Sequence, residues 1–213
     1  MEQKLAILIA DLSGYTALTE THGPTAAADM IDKFLDIVQN CLVGNCTLHQ
    51  RVGDEVLIVS QDPVHLAHTA VKLIQCCSNE HHFLQLHGGL HYGKLLKRNE
   101  HYFGSPLNLT SRIAAKASKG TFWCSAEFLN EISVQDFKFS SKGNHSFKNV
   151  AGEMEVFELE IGTTTSYDID PVCRMVIQKR ENAIPHPSKK DIYFCSEDCL
   201  YIYSSTLEIT GHT

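Results

Sequence analysis

The chain has 213 residues, 43% of them hydrophobic and 20% charged, with a formal net charge of −7. That is the size and balance of one medium globular domain plus a small module. The acidity argues against nucleic acid, which calls for a basic face. A nucleotide polyphosphate remains compatible, because its divalent ion masks much of its charge. The apolar run at residues 5–10 is too short for a signal-peptide core and ends in Asp11. No segment approaches the roughly 20 apolar residues of a membrane helix. The expectation is a cytoplasmic protein with no membrane partner, in which the eight cysteines stay reduced. Cys41, Cys46, Cys76, Cys77 and Cys124 lie in apolar or helical stretches and read as small buried hydrophobes.

In chain order, residues 5–11 read as a buried strand, a short apolar run bounded by a turn signal. Gly23-Pro24 opens a helix on which Met30, Ile31, Phe34, Leu35, Ile37, Val38 and Leu42 form one wide apolar face. A hairpin follows, with strands near 46–52 and 55–60 and a turn at Gly53-Asp54. Asp62-Pro63 starts a second helix carrying Leu66, Val71, Leu73 and Ile74, and residues 84–90 and 93–96 read as another strand pair. His87 and His91 fall in that strand-like run, so they are not read with His81-His82 as a metal cluster. Ser105-Pro106 begins a third helix to about residue 117, where proline suits the first turn. Residues 121–124 form a short strand and 154–159 the closing one. The order β-α-β-β-α-β suggests a ferredoxin-like α+β sandwich. Gly162-Thr163-Thr164-Thr165-Ser166 reads as a polar linker that divides residues 1–162 from a small module, 163–213.

Two segments set a carboxylate at the edge of a strand-like run beside a glycine turn: Ile7-Leu8-Ile9-Ala10-Asp11-Leu12-Ser13-Gly14-Tyr15-Thr16 and Arg51-Val52-Gly53-Asp54-Glu55-Val56. Either aspartate alone would be an ordinary cap or turn residue. Brought together by adjacent strands, they form a site for hard divalent cations carrying a polyphosphate. The loop after Asp11 can turn backbone N–H groups toward phosphates, with Gly14 permitting close approach. A third stretch, Tyr102-Phe103-Gly104-Ser105-Pro106-Leu107-Asn108-Leu109-Thr110-Ser111-Arg112, puts Asn108 and Arg112 four apart on one helical face. The planar fork of an arginine suits two phosphate oxygens.

Together these segments resemble the catalytic domain of class III adenylate/guanylate cyclases over residues 4–160. The resemblance implies a cyclase-type sandwich that converts a nucleoside triphosphate to a cyclic nucleotide and pyrophosphate. It implies that Asp11, Asp54 and the Leu12 backbone hold two Mg²⁺ or Mn²⁺ ions, and that Ser13, Gly14, Tyr15 and Thr16 bind phosphate. Asn108 would orient the ribose, Arg112 would stabilise charge on the phosphates, and Lys148 of Phe147-Lys148-Asn149-Val150 would contact the γ-phosphate. Gly88-Gly89-Leu90-His91-Tyr92-Gly93 matches a structural strand turn of the family. The family builds its site between two domains, so the resemblance implies a head-to-tail homodimer. At the base-selecting positions this chain has Gln50 and His101 in place of the lysine–aspartate pair of ATP-specific relatives. The glutamate–cysteine pair of GTP-specific relatives is also absent. ATP is the expected substrate by analogy, and the alternative is a catalytically degenerate nucleotide-binding or metal-responsive regulator.

Near the C-terminus, Asp170-Pro171-Val172-Cys173-Arg174-Met175 and Tyr193-Phe194-Cys195-Ser196-Glu197-Asp198-Cys199 resemble a YHS domain, a small relative of the TRASH-type metal-binding fold. A segment this short builds little core, so a metal staple would help it fold. Cys195 and Cys199 can direct both sulfurs to one ion, with Cys173 arriving from the preceding knuckle. Three thiolates suit Zn²⁺ or another soft ion, and His186 is the expected fourth ligand. Arg174 replaces the glycine usual after the first cysteine of that family.

Overall fold

The protein is described by a computed structural model covering residues 1–132, 136–162 and 167–210, with side chains to residue 206. Its spine is strand β1 (Glu2–Ser13), buried continuously from Leu5 to Ala10. Alternate residues serve opposite faces, as strand geometry requires. Ala6, Leu8, Ala10 and Leu12 join the main core, while Leu5 and Ile7 pack with Val59 and Leu95 on the other side. Burial on both faces explains why the sequence shows a continuous apolar run here and no alternation.

Helix α1 (Tyr15–Cys41) starts well before the expected Gly23-Pro24. Those two residues are a kink inside it, with Gly23 at φ 81°. Proline lacks the N–H that would continue the ladder, so the helix restarts there rather than begins there. Next come β2 (Thr47–Val52), β3 (Glu55–Ser60) and α2 (Pro63–Asn79), whose first turn is capped by the Asp62 carboxylate accepting from the Val64 N–H at 2.9 Å.

The expected strand pair at 84–96 is one long strand, β4 (Gln85–Arg98). Gly93 is not a turn residue. A Cβ there would lie 2.6 Å from Pro106 Cγ, so glycine serves the close approach of the following helix. The chain reverses later, at Asn99 (φ 48°) and Glu100 (φ 62°), which give the two left-handed residues of a tight hairpin turn. Strand β5 (His101–Phe103) returns along β4, and α3 (Ser105–Lys116) follows. After β6 (Phe122–Ser125) and the short α4 (Ala126–Leu129) come β7 (Lys138–Ser146) and β8 (Glu153–Glu160).

The main sheet runs β2-β3-β1-β4-β6-β8-β7, with β5 on β4. Its first half, β2-β3-β1-β4, is antiparallel throughout, the arrangement of a ferredoxin-like β-α-β-β-α-β unit. Strand β8 does not close the sheet, because β7 lies outside it. The polar Lys138–Ser146 segment, with its irregularity between Ser141 and Asn144, hides from hydrophobic pattern reading because an edge strand is kept polar and broken. Cys76 also departs from expectation: it is exposed, whereas Cys41, Cys46, Cys77 and Cys124 are buried.

The C-terminal residues form two small ribbons, β9 (Asp168–Ile169) with β10 (Val176–Ile177) and β11 (Ile184–Pro185) with β12 (Tyr193–Phe194), followed by α5 (Glu197–Thr210). The linker residues Thr163–Ser166 lie outside the described residues. The ribbons dock on the larger sheet. Val176 N–H donates to Phe83 O at 2.7 Å, Met175 bridges Leu84, and the Gln178 amide bonds the Ser78 carbonyl.

Gly89 holds β4 against α3, since a Cβ there would stand 2.4 Å from Thr110 O and 2.6 Å from Ala114 N. Backbone atoms cannot swing aside. Gly89→Ala is expected to cost about 1–3 kcal/mol by overpacking, read as a lower urea midpoint with an unchanged slope.

Candidate active site

The end of β1 and the β2–β3 turn meet at one cleft of about 460 Å³, lined by Asp11, Leu12, Ser13, Gly14, Tyr15, Thr16 and Asp54. Register explains the meeting: Ala10 pairs with Val56, so Asp11 reaches the turn that carries Asp54. The two carboxylates interact directly, each altering the other's charge. Burial and the charge of Asp11 push Asp54 up to about 6, and burial likewise raises Asp11. Two half-buried acids with no basic side chain bonded to them among the described residues form an unbalanced negative site, the donor set a hard divalent cation takes.

The loop above them has the right polarity for phosphate. Gly14 sits at φ 103° and starts α1 with no side-chain cap and no acidic residue in the first turn. The first N–H groups of a long helix therefore face an anion-accepting cleft. Two further residues line this cleft that the sequence reading did not select. His87 lies directly opposite Asp11 in the β1–β4 register, with Nδ1 2.9 Å from Ser13 Oγ, and burial lowers its pKa. Lys119, in the turn after α3, supplies a cation at the cleft wall. Only the strand register and the helix-to-strand turn reveal these two.

Asn108 and Arg112 line a different cleft, of about 360 Å³, with His91, Ser105, Pro106, Leu109, Asn149 and Val150. Neither metal-site aspartate is among its lining residues, so one chain presents the two sets separately. Among the described residues Arg112 has no carboxylate within ion-pair range. His91 is fixed by a 2.7 Å contact between its Nδ1 and Ser125 Oγ, and burial lowers its pKa. Lys148 is exposed and lines neither cleft, whereas its neighbours Asn149 and Val150 do line the second. Gln50 shares a smaller groove with Asn108, and His101 lies outside that groove, exposed on β5.

The model of the adenylate and guanylate cyclase catalytic domain matches residues 1–161. The chain belongs to that family. It is 32% identical over 151 residues to an uncharacterised protein of Mycobacterium bovis, covering 70% of this chain and 39% of that one. It is 25% identical over 166 residues to the pH-sensitive adenylate cyclase of Mycobacterium tuberculosis, covering 76% and 42%. It thus spans about two-fifths of the length of these curated relatives. Among solved structures, an adenylate cyclase from Trypanosoma brucei in its monomeric state superposes with a TM-score of 0.69 at 16% identity, over 78% of this chain and 91% of that one.

Outside the cyclase domain's matched residues, Cys173, Cys195 and Cys199 come together as expected. His186 does not join them. Its Nδ1 accepts the N–H groups of Ser188 and Lys189 at 3.1 and 3.0 Å, and its ring packs on Phe194 and Tyr203. The fourth member is His22 of α1, whose Nε2 lies 3.5 Å from both Cys195 Sγ and Cys199 Sγ. Sequence distance hid it, since His22 and Cys195 are 173 positions apart. Arg174 keeps the knuckle's backbone at φ 70°, the left-handed region that explains a preference for glycine there. The buried Asp170 carboxylate braces both cysteine segments, accepting from the N–H of Val172, Cys173 and Cys195 at 2.8, 3.2 and 2.7 Å.

Asp54 has its raised pKa only in the folded chain. Its protonated form contributes stability below about pH 4, and that contribution is lost as pH rises toward about 6. Asp54→Asn is therefore expected to raise Tm at pH 8 in divalent-free buffer and to flatten the fall between pH 4 and 6. Identical wild-type and variant pH profiles would show that the carboxylates are not charge-coupled.

Proposed function

We propose that the chain is a class III nucleotidyl cyclase, acting on ATP, whose active sites form between two head-to-tail copies. The carrying observation is the Asp11/Asp54 pair with the Gly14 loop in one cleft, and Asn108 and Arg112 in another. A second copy would bring the complementary cleft. In support, Val52 (61% exposed), Phe103 (51%) and Leu96 (40%) leave apolar surface on the β2–β3 and β4–β5 hairpins. Leu96 and Phe103 are direct cross-strand partners, so they form one continuous patch. The division at residue 162 into a catalytic domain and a metal module is part of this reading.

The donor chemistry of the first cleft fits divalent ions: acceptor oxygens only, half-buried and repelling one another. Asp11, Asp54 and the Leu12 carbonyl would hold two Mg²⁺ or Mn²⁺ ions, which supply charge to the phosphates and acidify the attacking hydroxyl. In the reaction the ribose 3′-oxygen forms a bond to the α-phosphorus, the α–β bridging bond breaks, and the hydroxyl proton leaves with pyrophosphate as the second product. The residues mainly position and stabilise charge. The open N–H groups at the start of α1 receive the polyphosphate, and Lys119 stands nearer this cleft than Lys148 does. Asn108 would hold the ribose, and Arg112 would contact phosphate oxygens as charge develops.

ATP is supported by the relative that is itself an adenylate cyclase. The Gln50 amide, in the groove with Asn108, can both donate to and accept from a purine. A nucleotide-binding regulator without turnover is the second reading, motivated by His101 lying outside that groove.

Pyrophosphate release with Mn²⁺ from ATP, GTP, CTP and UTP, with products identified by mass, tests the activity. Release from ATP that Arg112→Ala lowers by roughly 10²-fold or more is the expected result. Nucleotide binding with no release from any of the four would establish the regulator instead. The shared site has its own check: mixing inactive Asp54→Ala and Arg112→Ala chains should restore roughly a quarter of wild-type turnover, since half the dimers then hold one intact site. No restoration would place both sets in one chain. Phe103→Glu should shift sedimentation toward monomer and lower turnover with it.

A further inference from the structure

We infer that His22 of the cyclase domain and Cys173, Cys195 and Cys199 of the C-terminal module form one tetrahedral site for Zn²⁺, which clasps the module to the helix beginning at the phosphate loop. The geometry carries this. Cys173 Sγ to Cys195 Sγ is 3.4 Å, Cys195 Sγ to Cys199 Sγ is 3.6 Å, and His22 Nε2 is 3.5 Å from two of the sulfurs. All four donor atoms lie within 4.8 Å of one another. A tetrahedral ion with Zn–S of about 2.3 Å and Zn–N of about 2.0–2.1 Å needs S···S edges near 3.8 Å and S···N edges near 3.5 Å. The observed spacings are too long for disulfides, which close to about 2.05 Å, and close to those edges.

The surroundings also suit an ion. Asp170 fixes the backbone at Cys173 and Cys195 through three N–H bonds, an outer shell that holds both ligands in place. The module's own core is small, centred on Cys173, Phe194 and Cys199, so an ion adds what burial cannot.

The position of His22 gives the site a consequence that three cysteines within the module would lack. His22 lies in the first segment of α1, just before the Gly23 kink, and the same segment starts at Gly14. The residue after Cys173 reaches that start: a Cβ on Gly14 would stand 2.4 Å from Arg174 Cβ. The clasp therefore holds the phosphate loop from two directions, through His22 along the helix and through Arg174 in direct packing. Zinc loading orders the loop, and zinc loss frees it. This consequence rests on the cyclase reading of that loop, whereas the metal site itself does not.

The test uses the full chain and reads metal and loop order separately from turnover. Purified wild type should carry one zinc per chain, and Co²⁺ substitution should give the intense visible bands of a four-coordinate thiolate site. His22→Ala should weaken Zn²⁺ at least about tenfold, since loss of even an outer partner costs roughly 10–100-fold, and should change the Co²⁺ spectrum. His22→Cys, which offers a replacement ligand, should recover tight binding and guards against a folding defect in the alanine variant. Chelation should speed amide exchange over residues 14–22 in wild type. Unaltered affinity and spectrum in His22→Ala would remove His22 from the site, and unaltered exchange on chelation would remove the clasp. Both readouts stand even if no triphosphate is turned over.

Discussion

Strand β1 is hydrogen-bonded on both sides, to β3 and to β4, and those two registers position Asp11, Asp54 and His87 in the first cleft. Pairing with β3 carries Asp11 to the turn holding Asp54, and pairing with β4 sets His87 opposite Asp11. A slip of one residue would turn Asp11 to the opposite face and Leu12 out of the core. The apolar residues on both faces of β1 forbid that slip. The core thereby supplies the free energy that keeps two repelling carboxylates together, which explains why a site that destabilises itself persists.

The second set of groups depends on close backbone approach. Gly88, Gly89 and Gly93 on β4 each face atoms within 2.3–2.6 Å of where a Cβ would be: Ile9 O and the Phe122 ring, the α3 backbone, and Pro106. With no side chains between them, α3 lies on the sheet and presents Asn108 and Arg112 on its open face. The same helix contributes Ala115 to the first cleft. One helix thus borders both clefts, with Asn108 and Arg112 lining the second.

The C-terminal segment joins the larger sheet through backbone pairing at Phe83-Leu84 and through the histidine–cysteine cluster. Both come close to the start of α1, where a Cβ on Gly14 would stand 2.4 Å from Arg174 Cβ and 3.7 Å from Leu84 Cδ2. Gly14 serves two demands at once, a left-handed φ that begins the helix and room for Arg174.

Much of this was legible in one dimension. The apolar run ending in Asp11, the Gly53-Asp54 turn and the four-residue spacing of Asn108 and Arg112 are local patterns, and local propensity decides them. The three cysteines were legible for the same reason, because short turns carry them. Gly23-Pro24 and Gly93 misled because glycine marks close packing and kinks as well as turns. Strand β7 was hidden by the polarity an edge requires. His87, Lys119 and His22 were beyond sequence reasoning altogether, since each joins its site only across a register or between segments far apart in the chain. The sequence by itself determined which chemistries were present and the elements that carry them. The tertiary structure alone decided that His22 and not His186 faces the cysteines, and that His87 and Lys119 join the aspartates in one cleft. Those outcomes are set by packing between distant segments, for which a linear pattern holds no periodicity to read.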